Sequence, residues 1–272
     1  MKLRLFIVVA ASLSLFLSNS RANAGYLDPS QGWKNITTYD GLSGSYGSQT
    51  NTWWNTNEDQ EVEPGAATGQ KWDLEGFFLN DTTDELAMVG GFNFAKGQGG
   101  IGSGDIFIDT DMDNDYYEYV LDLAFTDESG DIHKNDKKYT VYANDDIKDN
   151  PITFNVTHGG PAGPTQNQPW TYSGGGSVVT GFENIALTYL KNKNNNSMGG
   201  GVTGGKHNAV IVDISFLGSD AGYNIFNTLE CGNDLLAGGT SSAVPEPATI
   251  FLLGSGLLGL FGYRKKFWKP KN

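Results

Sequence analysis

The chain has 272 residues, with 18 Lys+Arg against 31 Asp+Glu and a formal net charge of −13. The first 24 residues and those after Tyr263 hold eight of the basic residues and no acid, so the part between carries 10 positive against 31 negative charges, a balance of −21, and no arginine. Such a surface excludes nucleic acid and anionic lipid as natural partners, because phosphate binding rests on Lys and Arg, and it favours divalent cations.

The N-terminus has the layout of an export leader. Lys2 and Arg4 precede an apolar run from Leu5 to Leu17, and Ala22-Asn23-Ala24 supplies small residues where a signal peptidase needs them. The reading is a signal peptide over residues 1–24, cut after Ala24. Residues 25–71 are rich in Gly, Asn, Ser and Thr and carry Trp33, Trp53 and Trp54, which suggests short edge strands and loops.

Strand signals follow. Trp72 to Leu79 starts in alternation and then turns apolar on both faces. Leu86, Met88, Phe92 and Phe94 keep a period of two, and Gly90-Gly91 marks a bulge or a close approach. Gly104 to Asp109 and Tyr116 to Phe125 come next, with Tyr117, Tyr119, Leu121, Leu123 and Phe125 expected on one face. Later candidates are 139–143, 152–157, 177–180, 183–190, 209–217 and 223–229. Many short strands with Gly/Asn/Asp turns and almost no helical period predict an all-β fold over 25–237, an antiparallel β-sandwich of jelly-roll-like form. Residues 159–176 read as a long loop, 191–205 (KNKNNNSMGGGVTGG) as low-complexity and mobile, and 238–243 as a flexible linker. The single cysteine, Cys231, excludes an internal disulfide and is expected as a small buried apolar residue.

The densest polar constellation is Asp109-Thr110-Asp111-Met112-Asp113-Asn114-Asp115-Tyr116-Tyr117-Glu118. Carboxylates crowded at alternate positions repel one another unless a cation is present, and hard oxygen donors suit Ca²⁺. The run opens like an EF-hand loop and then departs from it. Asn114 stands where glycine is needed, and Val120 stands where the bidentate Glu belongs. A hairpin loop holding Ca²⁺ through Asp109, Asp111, Asp113, Asp115 and Glu118 is the expectation. A second reading rests on Trp53, Trp54 and Trp170, rings on a Gly/Asn-rich scaffold that can stack on sugar faces and so suit an exopolysaccharide. Catalysis is not expected. His133, His158 and His207 stand apart, and neither H-E-x-x-H nor G-x-S-x-G occurs.

The last 29 residues, 244–272, form three parts in fixed order. Val244-Pro245-Glu246-Pro247 cannot be helical at its prolines and should be extended. From Ala248 to Tyr263 there is no charge, and five of the last nine residues are Lys or Arg, led by Arg264, Lys265 and Lys266. That is the pattern of a short membrane segment with a cytoplasmic anchor. The tail resembles the PEP-CTERM sorting signal of exported bacterial proteins. The resemblance implies recognition by an exosortase, an integral membrane cysteine-type transpeptidase or protease, removal of the tail near Pro-Glu-Pro, and delivery to the cell surface or extracellular matrix. The order WDLEGFFL, LAMVGGFNF, GDIFIDTDMDND-YYEYVLDL and then Leu229-Glu230-Cys231-Gly232-Asn233-Asp234 is similar to an ectodomain that recurs on such proteins and closes with Cys-Gly-Asn-Asp. It implies a structural role for Cys231. The function expected is structural or adhesive, with Ca²⁺ support.

Overall fold

The apolar alternation builds two antiparallel sheets packed face to face. The structure, a computed structural model, describes residues 25–39, 67, 69–112, 116–127, 129, 131–133, 136–144, 150–157, 168–218 and 222–240. In the first sheet, β1 (Trp33–Asn35) pairs with β3 (Leu74–Asn80), followed by β4 (Glu85–Gly90), β13 (Lys206–Asp213) and β12 (Thr188–Asn194). The second runs β10 (Ser177–Val178), β7 (Lys138–Ala143), β6 (Tyr119–Leu123), β5 (Ile106–Asp109), β14 (Tyr223–Thr228), β15 (Leu235–Thr240) and β2 (Thr37–Tyr39), with β11 (Ile185–Ala186) also on β7. A separate hairpin joins β8 (Thr153–Val156) to β9 (Pro169–Gly174). The five- and eight-stranded sheets make a sandwich larger than the eight strands of a jelly roll.

Between the sheets lie Leu74, Phe77, Leu86, Met88, Val210 and Val212 from one side. Ile106, Ile108, Leu121, Leu123, Val141, Ile225 and Leu236 meet them from the other. Each sheet also has a covered outer face. On the first, Phe78, Ala87, Val89 and Ala209 pack under Leu27, Trp33, Met198 and Val202. On the second, Phe107 and Val120 pack with Ile152, Tyr142 and Tyr172 under the β8–β9 hairpin. Strands buried on both faces read as continuous apolar runs, which accounts for the lost alternation in Phe77-Phe78-Leu79. Tyr117 departs from the expected face. It precedes β6 and joins the outer cluster, while Tyr119, Leu121, Leu123 and Phe125 point inward.

Three segments are more regular than their composition suggests. The Asn/Gly-rich 191–205 is not loose. Lys191 to Asn194 belong to β12, and a one-turn helix, α1 (Asn195–Met198), follows, capped by the Asn194 side chain on Ser197 N at 2.8 Å. Met198 is fully buried there. Trp170, expected in a loop, lies in β9. Pro169 is tolerated because it opens that strand. The expected linker begins too early, since β15 runs to Thr240. Its glycines serve close approach. A Cβ at Gly238 would lie 3.0 Å from both the Ile36 carbonyl and the Phe77 ring, and one at Gly239 would lie 2.6 Å from the Tyr223 carbonyl.

The sheets are tied at two places. The chain crosses between them at Ile36, whose N–H donates to Phe77 O and whose carbonyl accepts from Gly239 N, both at 2.9 Å. The second tie is the turn after β14. Asp234, fully buried, accepts from Leu74 N at 2.5 Å through one carboxylate oxygen and from Leu235 N at 2.8 Å through the other. Asn233 exchanges two hydrogen bonds with the backbone of Ala67, at 2.7 and 2.9 Å. Glu230 accepts from Gly102 N at 2.9 Å. Cys231 is a free, half-buried thiol packed against the core, raised in pKa by burial.

Replacing Asp234 with alanine should leave buried N–H groups without acceptors and lower stability by about 2–4 kcal/mol. Cys231→Ala should cost under about 1.5 kcal/mol. Urea denaturation of both variants tests this, and equal costs would contradict the closing role given to Asp234.

Candidate functional site

β5 ends at Asp109 and β6 begins at Tyr119, so the acidic run forms the connection of a hairpin. Asp109 is 2 % exposed, and its Oδ1 accepts from Met112 N at 2.6 Å. This bond holds a turn in which Met112 takes a left-handed conformation, φ 61°. Glu118 closes the loop from the far side, accepting from Thr110 N at 2.7 Å and Thr110 Oγ1 at 3.3 Å.

The result is convergence. Asp109, Asp111 and Glu118 each offer a carboxylate oxygen, and these oxygens lie within 4.8 Å of one another. Oxygens sharing one Ca²⁺ at about 2.4 Å can be separated by at most about 4.8 Å, and the three meet that condition. Burial pushes the nearby Tyr117 hydroxyl up to about 12, with the Asp109 charge as a second cause. Beside the cluster is a pocket of about 180 Å³ lined by Asp109, Tyr116, Tyr117 and Asn224.

Of the five expected cation ligands, three are thus brought together. Asp113 and Asp115 lie outside the described residues, as do Trp53, Trp54, Ala22, Ala24, Val244, Pro245, Glu246, Pro247, Arg264, Lys265 and Lys266. Trp170 does not serve as a sugar platform. It lies in β9 and is 2 % exposed, which leaves no open ring face for a sugar.

Sequence reasoning missed a second polar centre at the opposite end of β5. Asp105 is buried. Its carboxylate accepts from Leu123 N and Tyr172 N, both at 2.7 Å, and from Thr171 Oγ1 at 3.0 Å, while its own N–H donates to Trp170 O at 2.6 Å. This one residue therefore staples β9 onto the β5–β6 hairpin. Its pKa is raised well above the ordinary range, first by burial and then by Asp122, although the three donors oppose that shift. Asp122 is pushed up to about 6 by burial. His133 and Asp127, six positions apart, pair at 2.9 Å. The hydrogen bond between them raises His133 and lowers Asp127. The one available signal was Asp105 itself, an acid directly ahead of the apolar Ile106-Phe107-Ile108. His207, buried, pairs with Glu75 at 2.9 Å and with Asn195 at 2.9 Å beside α1.

Because the folded Asp122 carboxyl titrates near 6 instead of the ordinary 3.8, its neutral form stabilises the protein below about pH 4. That contribution is lost as pH rises through about 6. Asp122→Asn should therefore stabilise the protein by about 1–3 kcal/mol at pH 7.5 and change little at pH 4. Thermal melts at the two pH values measure this, and a uniform loss at both would contradict it.

No helix among the described residues is long and apolar enough to cross a membrane. The tail, outside those residues, is characterised by family comparison. The family model described as the PEP-CTERM protein-sorting motif matches residues 243–266. This span covers the Val244–Pro247 motif, the apolar segment and Arg264 to Lys266. No curated protein and no solved structure matches the chain. The motif implies export, a membrane-held tail before processing, and exosortase as the processing partner. The chain is thus an exported β-rich protein that carries the PEP-CTERM tail of an exosortase substrate.

Proposed function

We propose that the β-sandwich is a structural or adhesive component of the cell surface or extracellular matrix, and that Ca²⁺ fixes its β5–β6 hairpin. In this reading a signal peptidase cuts after Ala24, exosortase removes the tail near Pro247, and the acidic sandwich remains outside. The protein acts by being present and holding shape, without catalysis. The observation that carries the reading is the convergence of Asp109, Asp111 and Glu118 within 4.8 Å.

The chemistry supports calcium over a softer metal. All three donors are carboxylates, and Ca²⁺ accepts six to eight oxygens in loose geometry, leaving further positions for backbone carbonyls and water. Three carboxylates held this close repel one another, and a bound dication removes that repulsion. The protein has no internal disulfide to hold its loops, and a cation would add to the hydrogen bonds that Asp109 and Glu118 already make across this one.

Extracellular calcium modules bind at about 0.1–1 mM. At about 5 mM CaCl₂ the gain should be on the order of 1–2 kcal/mol, a rise in Tm of about 3–6 °C. Asp111→Asn with Glu118→Gln should abolish the rise. A melt that is the same with calcium and with EDTA would overturn the calcium reading.

A further inference from the structure

We propose that the buried pair Glu75–His207 is a proton-dependent latch, which holds α1 and through it the segment Gly25–Leu27 on the first sheet and lets go as pH rises above neutral. The latch lies on the first sheet, away from the β5–β6 hairpin, and does not depend on the cation reading.

The geometry fixes how many protons the pair holds. His207, in β13, and Glu75, in β3, are both closed to solvent. Both ring nitrogens face oxygen. Nδ1 lies 2.9 Å from Glu75 Oε1, and Nε2 lies 2.9 Å from Oδ1 of Asn195, the first residue of α1. An amide oxygen only accepts, so Nε2 carries a hydrogen. A lone pair on Nδ1 would repel the carboxylate oxygen at that distance, so a second hydrogen lies between Nδ1 and Oε1. Whether it sits on the ring or on the carboxyl, the pair holds two protons. The unfolded chain at neutral pH holds one, since a free imidazole loses its charge at about 6.5 and a free carboxyl ionises at about 4.3. Gln70 Nε2 donates to the same Oε1 at 2.6 Å, which keeps the carboxyl turned to the ring.

Loss of one proton has a directed effect. The remaining hydrogen serves the carboxylate, the stronger acceptor, through Nδ1. Nε2 then turns a lone pair on Asn195 Oδ1, and the bond to α1 is the one that breaks. α1 is a single turn that carries the N-terminal segment. Tyr26 N donates to Ser197 O at 3.0 Å and Leu27 N to Met198 O at 2.8 Å. Leu27 and Met198 are fully buried and pack with Phe78, Val89 and Ala209 on the outer face of the first sheet. A Cβ on Gly25 would stand 2.6 Å from Gly199 Cα, so the segment is seated closely on the end of α1.

Among the described residues, the other charged groups on the adjoining segments are Asp28, Lys71, Asp73, Lys191, Lys193 and Lys206. Lys71 Nζ lies over the Trp72 ring at 5.9 Å. Lys193, opposite His207 in the β12–β13 register, reaches the Tyr26 hydroxyl at 3.2 Å. The lysines push the pair's proton off and the aspartates hold it. Because the closed form holds the extra proton, closure is fully favoured below about pH 6.5. Above that it weakens by about tenfold per pH unit, until the closed pair itself releases the proton.

Hydrogen exchange of the full chain in mild detergent, with the intrinsic pH dependence of exchange divided out, measures this. Protection in peptides covering Gly25–Leu27 and Asn195–Met198 should fall about tenfold from pH 7 to pH 8, while β5 and β14 keep theirs. The fall should vanish in Glu75→Gln and in His207→Gln, each of which removes the titrating proton. A glutamine at 75 still has a hydrogen to give Nδ1, so that variant should fold even if the histidine variant does not. Protection that does not change with pH in the unaltered chain would overturn the proposal, since Asn195 would then be donating to a neutral ring. So would a fall that survives in both variants, because the proton would belong to another group. A fall shared equally by β5 and β14 would also overturn it, because the whole fold and not the latch would be opening.

Discussion

The structure depends on one buried carboxylate. Asp234 reaches from the turn after β14 to the N–H of Leu74, where β3 begins, and so fastens one sheet to the other. Its own carbonyl accepts from Thr228 Oγ1 at 2.7 Å, which fixes the turn that presents it. Around this bond the neighbouring residues clasp distant segments. Glu230 holds Gly102, and Asn233 holds Ala67. A buried carboxylate is costly unless its lone pairs are filled. Backbone amides fill them here, and the desolvation cost becomes a requirement that these particular strands meet.

The same device recurs at Asp105. In both cases a buried carboxyl group is met by backbone N–H donors from different strands. An exported chain with −21 between its two ends has few cations to spend on buried pairs. Main-chain donors are the remaining option, and they bring specificity of register. Asp105 places the β8–β9 hairpin over Phe107 and Val120, which buries the outer face of the second sheet. The N-terminal segment and α1 do the same for the first. The sandwich thus has four layers, and neither sheet alternates cleanly between core and solvent.

That explains what could be read in the sequence. Strands whose partners lie on both faces still announced themselves by apolar content, as with Leu74 to Leu79, Ile106 to Ile108 and Tyr119 to Leu123. The export tail was legible because its signal is local: motif, apolar segment and basic end follow one another directly. Other features were hidden because composition cannot see an approach from a distant strand. Gly238 and Gly239 looked like a tether, yet Ile36, Phe77 and Tyr223 crowd them. Trp170 looked exposed beside a proline, yet it lies within β9 and is 2 % exposed. At the hairpin, the spacing marked a run of five acids, and of these Asp109, Asp111 and Glu118 bring carboxylate oxygens within 4.8 Å of one another. The staple at Asp105 was not legible, since it joins Leu123 to Thr171 and Tyr172, which lie far apart in the sequence.

The account as a whole holds that two removable ends deliver this sandwich to the outside. The measurement that tests it most directly is the intact mass of the extracellular protein, taken from cells with and without exosortase. The account predicts a chain starting at Gly25 and ending near Pro247 that disappears when exosortase is lost. A species still carrying Ala248 to Asn272 in both strains would contradict it, since the tail would then be a permanent membrane anchor.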